Sequence, residues 1–151
     1  MGIQPPRDII HSKLAGVTMG DKSANGTPLR QLYIEKLEAK NILGLRLVRE
    51  PDNAYDSDAI AVHADYGSGD IQLGYIQNKN RICLSCSKEY PKVAPNVEMC
   101  PCGGMLARKG LASTLSAWID EGVSYRARVE QYTGGVDGKN RGVNIVLERI
   151  K

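Results

Sequence analysis

Apolar and polar residues alternate over several short stretches, which predicts strands that each turn one face towards a core. In the first half, Leu43, Leu45 and Leu47 occupy alternate positions. Near the C-terminus, two alternating stretches flank the glycine-rich segment 134–138, which predicts a hairpin. The predicted strands are residues 14–19, 43–48, 59–63, 71–75, 123–130 and 143–147.

Two further segments carry apolar residues at helical spacing. The first begins at Thr27-Pro28 and continues to about residue 39, with Leu29, Leu32, Tyr33 and Leu37 as its core stripe. The second covers residues 111–119 and ends before Gly122. Many short strands with two short helices predict a small, mainly β protein of the α+β type, built as a closed or partly closed barrel of about six strands.

Length and composition agree with one compact domain. The 151 residues can bury a sizeable core, but the chain has no Phe and one Trp, so Leu, Ile, Val and Ala must supply it. The net charge of +3 predicts only weak binding to duplex DNA through charge alone. No apolar run has the length of a signal peptide or a membrane span, so we expect a cytoplasmic protein without a membrane partner.

The turn between the second and third predicted strands contains several polar side chains and one aromatic ring that could form a binding site. Pro51 and the pair Asp52-Asn53 favour a tight turn, which would display Tyr55 and Asp56 on a loop held at both ends. A flat aromatic face beside a hydroxyl acceptor suits a nucleotide. The alternative is that the polar side chains satisfy the turn's own backbone while Tyr55 covers the core.

This turn lies in a longer motif that is similar to a HIRAN domain. The chain reads Arg49-Glu50-Pro51-x-Asn53-x-Tyr55-Asp56-x-x-Ala59-Ile60-x-Val62, followed after a spacer by Gly74-Tyr75-Ile76. The resemblance starts near residues 14–17, passes Arg30-Gln31, and resumes over residues 111–122 and the last two strands, so it covers most of the chain. It implies a small β-barrel module, found alone or fused to helicase-like ATPases.

The best understood HIRAN domains bind the 3′ end of single-stranded DNA, and the resemblance implies a role for each matching residue. Tyr55 would stack on the terminal base and Asp56 would accept a hydrogen bond from the 3′ hydroxyl. Asn53 and Asp52 would line the pocket. A DNA-processing protein, such as a helicase or nuclease, would be the implied partner and would supply any ATPase or hydrolase activity.

The resemblance also implies contacts to phosphates. Tyr75, with Asn78 or Lys79, would approach the DNA backbone, and Arg30 would be a further cation nearby. The chain departs from the family at Ala54, where the family has Pro, and at Thr18-Met19, where the animal domain that binds DNA ends has an Arg-Tyr pair.

All four cysteines lie close together in the sequence. Cys83 and Cys86 form one pair, and Cys100 and Cys102 form a second pair after 13 intervening residues. Four thiolates at this spacing favour a structural zinc ion in a zinc-ribbon-like finger. The second pair is one residue shorter than the usual Cys-Pro-x-Cys-Gly knuckle, which leaves open a strained knuckle or a different ligand order. A disulfide, a redox Cys-x-x-Cys and an iron–sulfur cluster are the alternatives.

The organisation that follows is a barrel interrupted by a finger. Residues 1–13 are predicted to form an N-terminal tail, residues 14–80 and 110–151 the HIRAN-type barrel, and residues 81–109 the inserted finger. Because the finger has few large apolar residues, we expect the metal to organise it.

Three functions are compatible with these residues. The first is a non-catalytic module that binds single-stranded DNA or its 3′ end. The second is a metal-dependent nuclease, whose metal would be held by a set of carboxylates: Glu50, Asp52, Asp56 and Asp58. The third is an adaptor that docks proteins through the zinc finger and does not bind DNA.

Overall fold

Six strands form a closed antiparallel barrel, and three short strands form a separate sheet in the region of the cysteines. The computed structural model describes residues 6–67, 69–86, 88–90 and 96–150, without the side chains of residues 108 and 109. The elements are β1 (Ile9–Ala15), α1 (Leu29–Ala39), β2 (Gly44–Arg49), β3 (Ile60–Asp65), β4 (Asp70–Ile76), β5 (Arg81–Cys83), β6 (Glu89–Tyr90), β7 (Leu106–Gly110), α2 (Leu111–Asp120), β8 (Ser124–Thr133) and β9 (Gly142–Ile150).

The barrel has the strand order β1-β4-β3-β2-β8-β9 and closes through pairing of β9 with β1. This arrangement confirms the predicted mainly β barrel of six strands with two helices. The main core consists of aliphatic side chains from the barrel, the helices and the small sheet together with Trp118, which is 1% exposed. Because closure leaves no free barrel edge, the loops at the strand ends are where a site can be displayed. Neither helix of the described chain is long enough to cross a bilayer.

The first strand differs from its prediction. It was expected over residues 14–19, but β1 spans Ile9–Ala15, so residues 9–13 belong to the barrel and not to a tail. Residues 9–13 pair with β9, and Gly16 ends the strand with a φ of +71°. The pattern concealed this strand because the polar residues Ser12 and Lys13 separate Ile10 from Leu14.

Helix α1 is where the sequence predicted it, but its buried face is rotated. Ile34 and Leu37 are fully buried, whereas Leu29, Leu32 and Tyr33 of the predicted stripe are half-buried. Gln31 shares the buried face, and its amide nitrogen donates to the carbonyls of Val17 and Arg141 at 3.0 and 2.9 Å. A buried amide must be hydrogen-bonded, so this side chain fixes the backbone that follows β1 against α1.

The small sheet has the order β6-β5-β7 and two different faces. Ile82 and Ala107 join the main core of the barrel, and Leu84 packs there as well. Leu106, with Cys83 and Cys100, forms a second apolar cluster. The main core therefore contributes to the order of the finger, a contribution that the sequence analysis did not predict.

Candidate functional site: the Tyr55 groove and the cysteine cluster

The turn between β2 and β3 is held by its own hydrogen bonds. The amide of Glu50 donates to the Ala59 carbonyl at 3.0 Å and closes the base of the loop. Within it, Asn53 Oδ1 accepts hydrogen bonds from the amides of Tyr55 and Asp56 at 2.9 and 3.1 Å. Asn53 Nδ2 donates to Glu50 Oε1 at 3.0 Å. Asn53 thus organises the loop, as the alternative interpretation of the turn proposed for its polar residues.

Tyr55 does not cover the core. Its side chain is 99% exposed, so the ring projects into solvent from a loop whose backbone is fixed. The neighbouring carboxylate of Asp56 is held at both oxygens: Oδ1 accepts from the Asp58 amide at 2.9 Å, and Oδ2 accepts from Asn78 Nδ2 at 2.8 Å. Each carboxylate oxygen has a second lone pair, so Asp56 can still accept a hydrogen bond from a ligand.

These two residues border a groove of about 340 Å³, which we call the Tyr55 groove. This volume lies at the lower end of the range of small-molecule sites, about 300–1,000 Å³. Its walls come from the loop after β1, the start of α1, the Tyr55 turn and the end of β4. The lining residues are Met19, Gly20, Arg30, Asn53, Tyr55, Asp56, Ala59, Tyr75 and Ile76.

Arg30 and Tyr75 also line the groove. The guanidinium of Arg30 lies 5.5 Å from the centre of the Tyr75 ring, within the range of a cation–π contact, and Nη1 donates to the Gly16 carbonyl at 2.9 Å. The Tyr75 hydroxyl donates to Glu50 Oε1 at 2.9 Å. The groove therefore combines an exposed aromatic ring, a fixed acceptor and a cation, groups that can stack, accept a hydrogen bond and pair with an anion.

The structure does not bring every predicted site residue into the groove. Asp52 and Lys79 are exposed and do not line it. Asn78, expected near phosphates, uses its amide inside the protein: Nδ2 donates to Asp56, and Oδ1 accepts from the Ser113 amide at 2.8 Å. Asn78 thus connects the Tyr55 turn to the first turn of α2. Met19, which is 63% exposed in the groove wall, was not predicted as a site residue.

The carboxylates of the nuclease hypothesis point to different partners. Asp58 Oδ2 accepts from the Ser113 hydroxyl at 2.8 Å, on the α2 side of the loop, while Glu50 is bonded to Asn53 and Tyr75. Among the described residues, only the four cysteines bring three or more metal-ligating groups together. The geometry therefore gives no support to a metal site made of Glu50, Asp52, Asp56 and Asp58.

The four cysteines do converge. Their sulfur atoms all lie within 4.8 Å of one another, with Cys83 and Cys102 3.6 Å apart and Cys86 and Cys100 also 3.6 Å apart. The thiols are free, and each of the two pairs contributes one buried and one exposed cysteine. Four soft ligands in this arrangement can hold a metal ion.

Backbone groups and one side chain support the sulfur atoms. The amides of Ser85 and Cys86 point at Cys83 Sγ at 3.3 and 3.4 Å, and the Gly104 amide points at Cys102 Sγ at 3.3 Å. Tyr90 lies 3.0 Å from Cys100 Sγ, and its hydroxyl lowers the pKa of this thiol to about 6. These contacts favour the thiolates that bind metals.

The short second knuckle reaches the cluster because glycine follows it. The Gly103 amide donates to the Cys100 carbonyl, and the Cys100 amide donates to the Gly104 carbonyl, both at 2.8 Å. A Cβ at Gly104 would lie 2.6 Å from Ser85 Oγ and 2.8 Å from Cys83 Sγ. The knuckle is therefore shortened without losing a ligand.

Comparison of the chain with protein-family models, with curated proteins and with solved structures finds no match.

Proposed function

We propose that this protein is a HIRAN-type nucleic-acid-binding module that holds the end of a single DNA strand in the Tyr55 groove. One observation carries the proposal: a tyrosine ring that is 99% exposed stands beside a fixed carboxylate at the border of a groove. A ring that contributes nothing to the core is available as a stacking platform, the feature that single-strand binding proteins share.

Asp56 supports recognition of a 3′ hydroxyl. Because its carboxylate is oriented by the Asp58 amide and by Asn78, the remaining lone pairs point in fixed directions. A hydroxyl donates to such a group, whereas a phosphate in the same place would bring two negative charges together. Arg30, which also lines the groove, supplies a positive charge for the backbone of the same strand.

We also propose that the cysteine cluster binds zinc in a structural role. Four cysteine sulfurs leave no open coordination position for a substrate, which is the arrangement of closed structural sites. The role of the finger would be to hold its sheet against the barrel.

The decisive experiment compares DNA ends at the same groove. Fluorescence anisotropy would measure the affinity for oligonucleotides with a 3′ hydroxyl, with a 3′ phosphate, or with only a recessed end. We expect the 3′ hydroxyl to bind best. Tyr55→Ala should cost about 1–3 kcal/mol of this affinity, the value of one base stack, while Tyr55→Trp should retain it. The matched control is Val136→Ala, which removes another exposed apolar side chain, in the β8–β9 turn.

Two outcomes would contradict the proposal. Equal affinity for the three oligonucleotides would show that the end is not recognised. Unchanged binding by Tyr55→Ala would show that the Tyr55 groove is not the binding site. The second outcome would favour the protein-docking adaptor. One observation supports that second candidate: Met99 and Met105, which pair in an isolated bridge within the finger, are 59% and 46% exposed.

A further inference from the structure

A second charged feature lies along α1, beyond the Tyr55 groove. The acidic residues Glu35 and Glu38 face Arg141, with nitrogen–oxygen distances of 3.8 and 2.8 Å. At 100° per residue, Lys36 and Lys40 project from a different side of the helix. The helix therefore separates its negative and positive side chains, and the negative ones are neutralised within the protein.

The two lysines converge on one aromatic ring. Lys36 Nζ lies 5.8 Å and Lys40 Nζ lies 5.4 Å from the centre of the Tyr66 ring, and Lys40 Nζ also donates to the Tyr66 carbonyl at 3.0 Å. Tyr66 is stacked with Tyr33, at 6.4 Å between ring centres and 30° between ring planes. Cation–π contacts to a supported ring hold both ammonium groups in place.

This pair has no carboxylate partner within the described part of the chain, where the neighbouring acids are already engaged. Asp65 accepts from the Gly67 amide at 2.9 Å, and Asp70 is bonded to Arg46 and His63 at 2.6 and 2.8 Å. Both ammonium groups lie near the same ring, so an anion bound beside that ring would be attracted by both charges. A phosphate is the anion that paired lysines fit best in a nucleic-acid partner.

The lysine pair and the groove lie on one seam, where α1 packs against β4. Arg30 and Tyr75 meet at the groove, while Tyr66 comes just before β4 at its other end. With a rise of about 1.5 Å per residue, Lys36 and Lys40 lie about 9 and 15 Å along the axis from Arg30. A strand with stacked bases rises about 3.4 Å per nucleotide along its axis, so about five stacked nucleotides would reach from the groove to Lys40.

We propose that Lys36 and Lys40, held by Tyr66, form a phosphate-binding site for the backbone of the strand whose end occupies the Tyr55 groove. This inference rests on the proposed function and adds a second contact to it. The strand would run along α1 from Arg30 towards Lys40. Its terminal base would provide recognition of the end, and the lysines would provide affinity that depends on salt.

The test separates the two sites by the length of the ligand. Single-stranded oligonucleotides with a 3′ hydroxyl, one a dinucleotide and one of about ten nucleotides, would be titrated against the full chain over a range of salt concentrations. Lys36→Gln/Lys40→Gln should bind the dinucleotide like the unchanged protein. For the longer oligonucleotide, the slope of log affinity against log salt should be less steep for this double variant than for the unchanged protein by about 1.4. Each lost phosphate contact contributes about 0.7 to that slope.

Controls decide between general charge and this site. Arg126→Gln/Lys139→Gln removes the same charge outside α1 and the groove and should leave the slope unchanged. Lys79→Gln tests the alternative exit of the strand past the end of β4. An unchanged slope in the α1 variant, or a slope that changes only in Lys79→Gln, would overturn the inference and leave the groove intact. If Tyr55→Ala bound the dinucleotide as tightly as the unchanged protein, or if neither oligonucleotide bound, the proposed function would be wrong and this inference with it.

Discussion

Asn78 influences the geometry of the site without lining it. Its amide joins Asp56 to the first turn of α2, two places that are 22 and 35 positions away in the sequence. Helix α2 begins after Gly110, which has no side chain for capping, so Asn78 supplies from outside the acceptor that a cap would provide. One side chain therefore stabilises a helix and orients the proposed hydroxyl acceptor.

Asn78→Ala should affect stability and end preference together. Loss of the acceptor for the Ser113 amide should cost about 0.5–2 kcal/mol of unfolding free energy, measured by urea denaturation. Loss of the donor to Asp56 should reduce the preference for a 3′ hydroxyl over a 3′ phosphate, measured by anisotropy, because the carboxylate is no longer oriented.

Asn78→Asp is the matched control for this prediction. It keeps an oxygen for the Ser113 amide, and a negative charge at the start of a helix is favourable, so the stability of α2 should be retained. It also places a second carboxylate against Asp56, so the end preference should still fall. If Asn78→Ala were as stable and as selective as the unchanged protein, this positioning role would be wrong.

The small sheet of β5, β6 and β7 is stabilised by packing and by cysteine contacts that the sequences of its short strands do not reveal. Its strands have 3, 2 and 5 residues, too few to be stable as an isolated sheet. On one side it packs into the barrel core, and on the other Cys83, Cys100 and Leu106 form a small cluster. The barrel core therefore orders one face of the sheet, and the proposed zinc ion would order the other.

Metal analysis tests this view of the finger. We expect a single zinc ion per chain by elemental analysis, and loss of that zinc in Cys83→Ser, because a three-thiolate site binds less tightly. The loss should increase amide hydrogen exchange in the small cluster while the barrel stays protected. A well-ordered finger without zinc would contradict the assignment. Iron in the elemental analysis together with visible absorption would instead indicate an iron–sulfur cluster.

For the molecule as a whole, the barrel and the finger share one apolar core. Ile82 belongs to the same cluster as Trp118 and Leu147, although it lies at the start of the finger. Leu106 is equally buried but belongs to the cysteine cluster. The two faces of one small sheet thus contribute to different cores, since β5 and β7 each supply residues to both clusters.

A pair of substitutions separates these two cores. Ile82→Ala should cost about 2–5 kcal/mol of global unfolding free energy, the usual cost of a buried cavity, followed by the fluorescence of the single tryptophan, Trp118. Leu106→Ala removes a similar side chain but should mainly increase hydrogen exchange in the finger. Equal global losses in the two variants would show that the finger and the barrel unfold as one unit.

Local patterns were sufficient for most of the architecture. Alternation located β2, β4, β8 and β9, and helical spacing located α1 and α2, because these elements bury a face that repeats along the chain. The β-rich composition of residues 59–63 located β3, which is buried on both faces. The four cysteines and the exposed turn around Tyr55 were also recognisable, since each depends on residues close together in sequence. The start of β1 was missed because a strand that pairs with residues more than 130 positions away needs no clear alternation of its own.

Contacts between distant segments had to come from the folded structure. The meeting of Arg30 with Tyr75, the entry of Met19 into the groove wall and the bond from Asn78 to Asp56 each join segments that no periodicity relates. Likewise, Lys36 and Lys40 are ordinary surface lysines in the sequence and become a pair only where Tyr66 packs beside α1. Repeating burial is encoded locally, whereas the neighbours of a side chain depend on how the barrel closes.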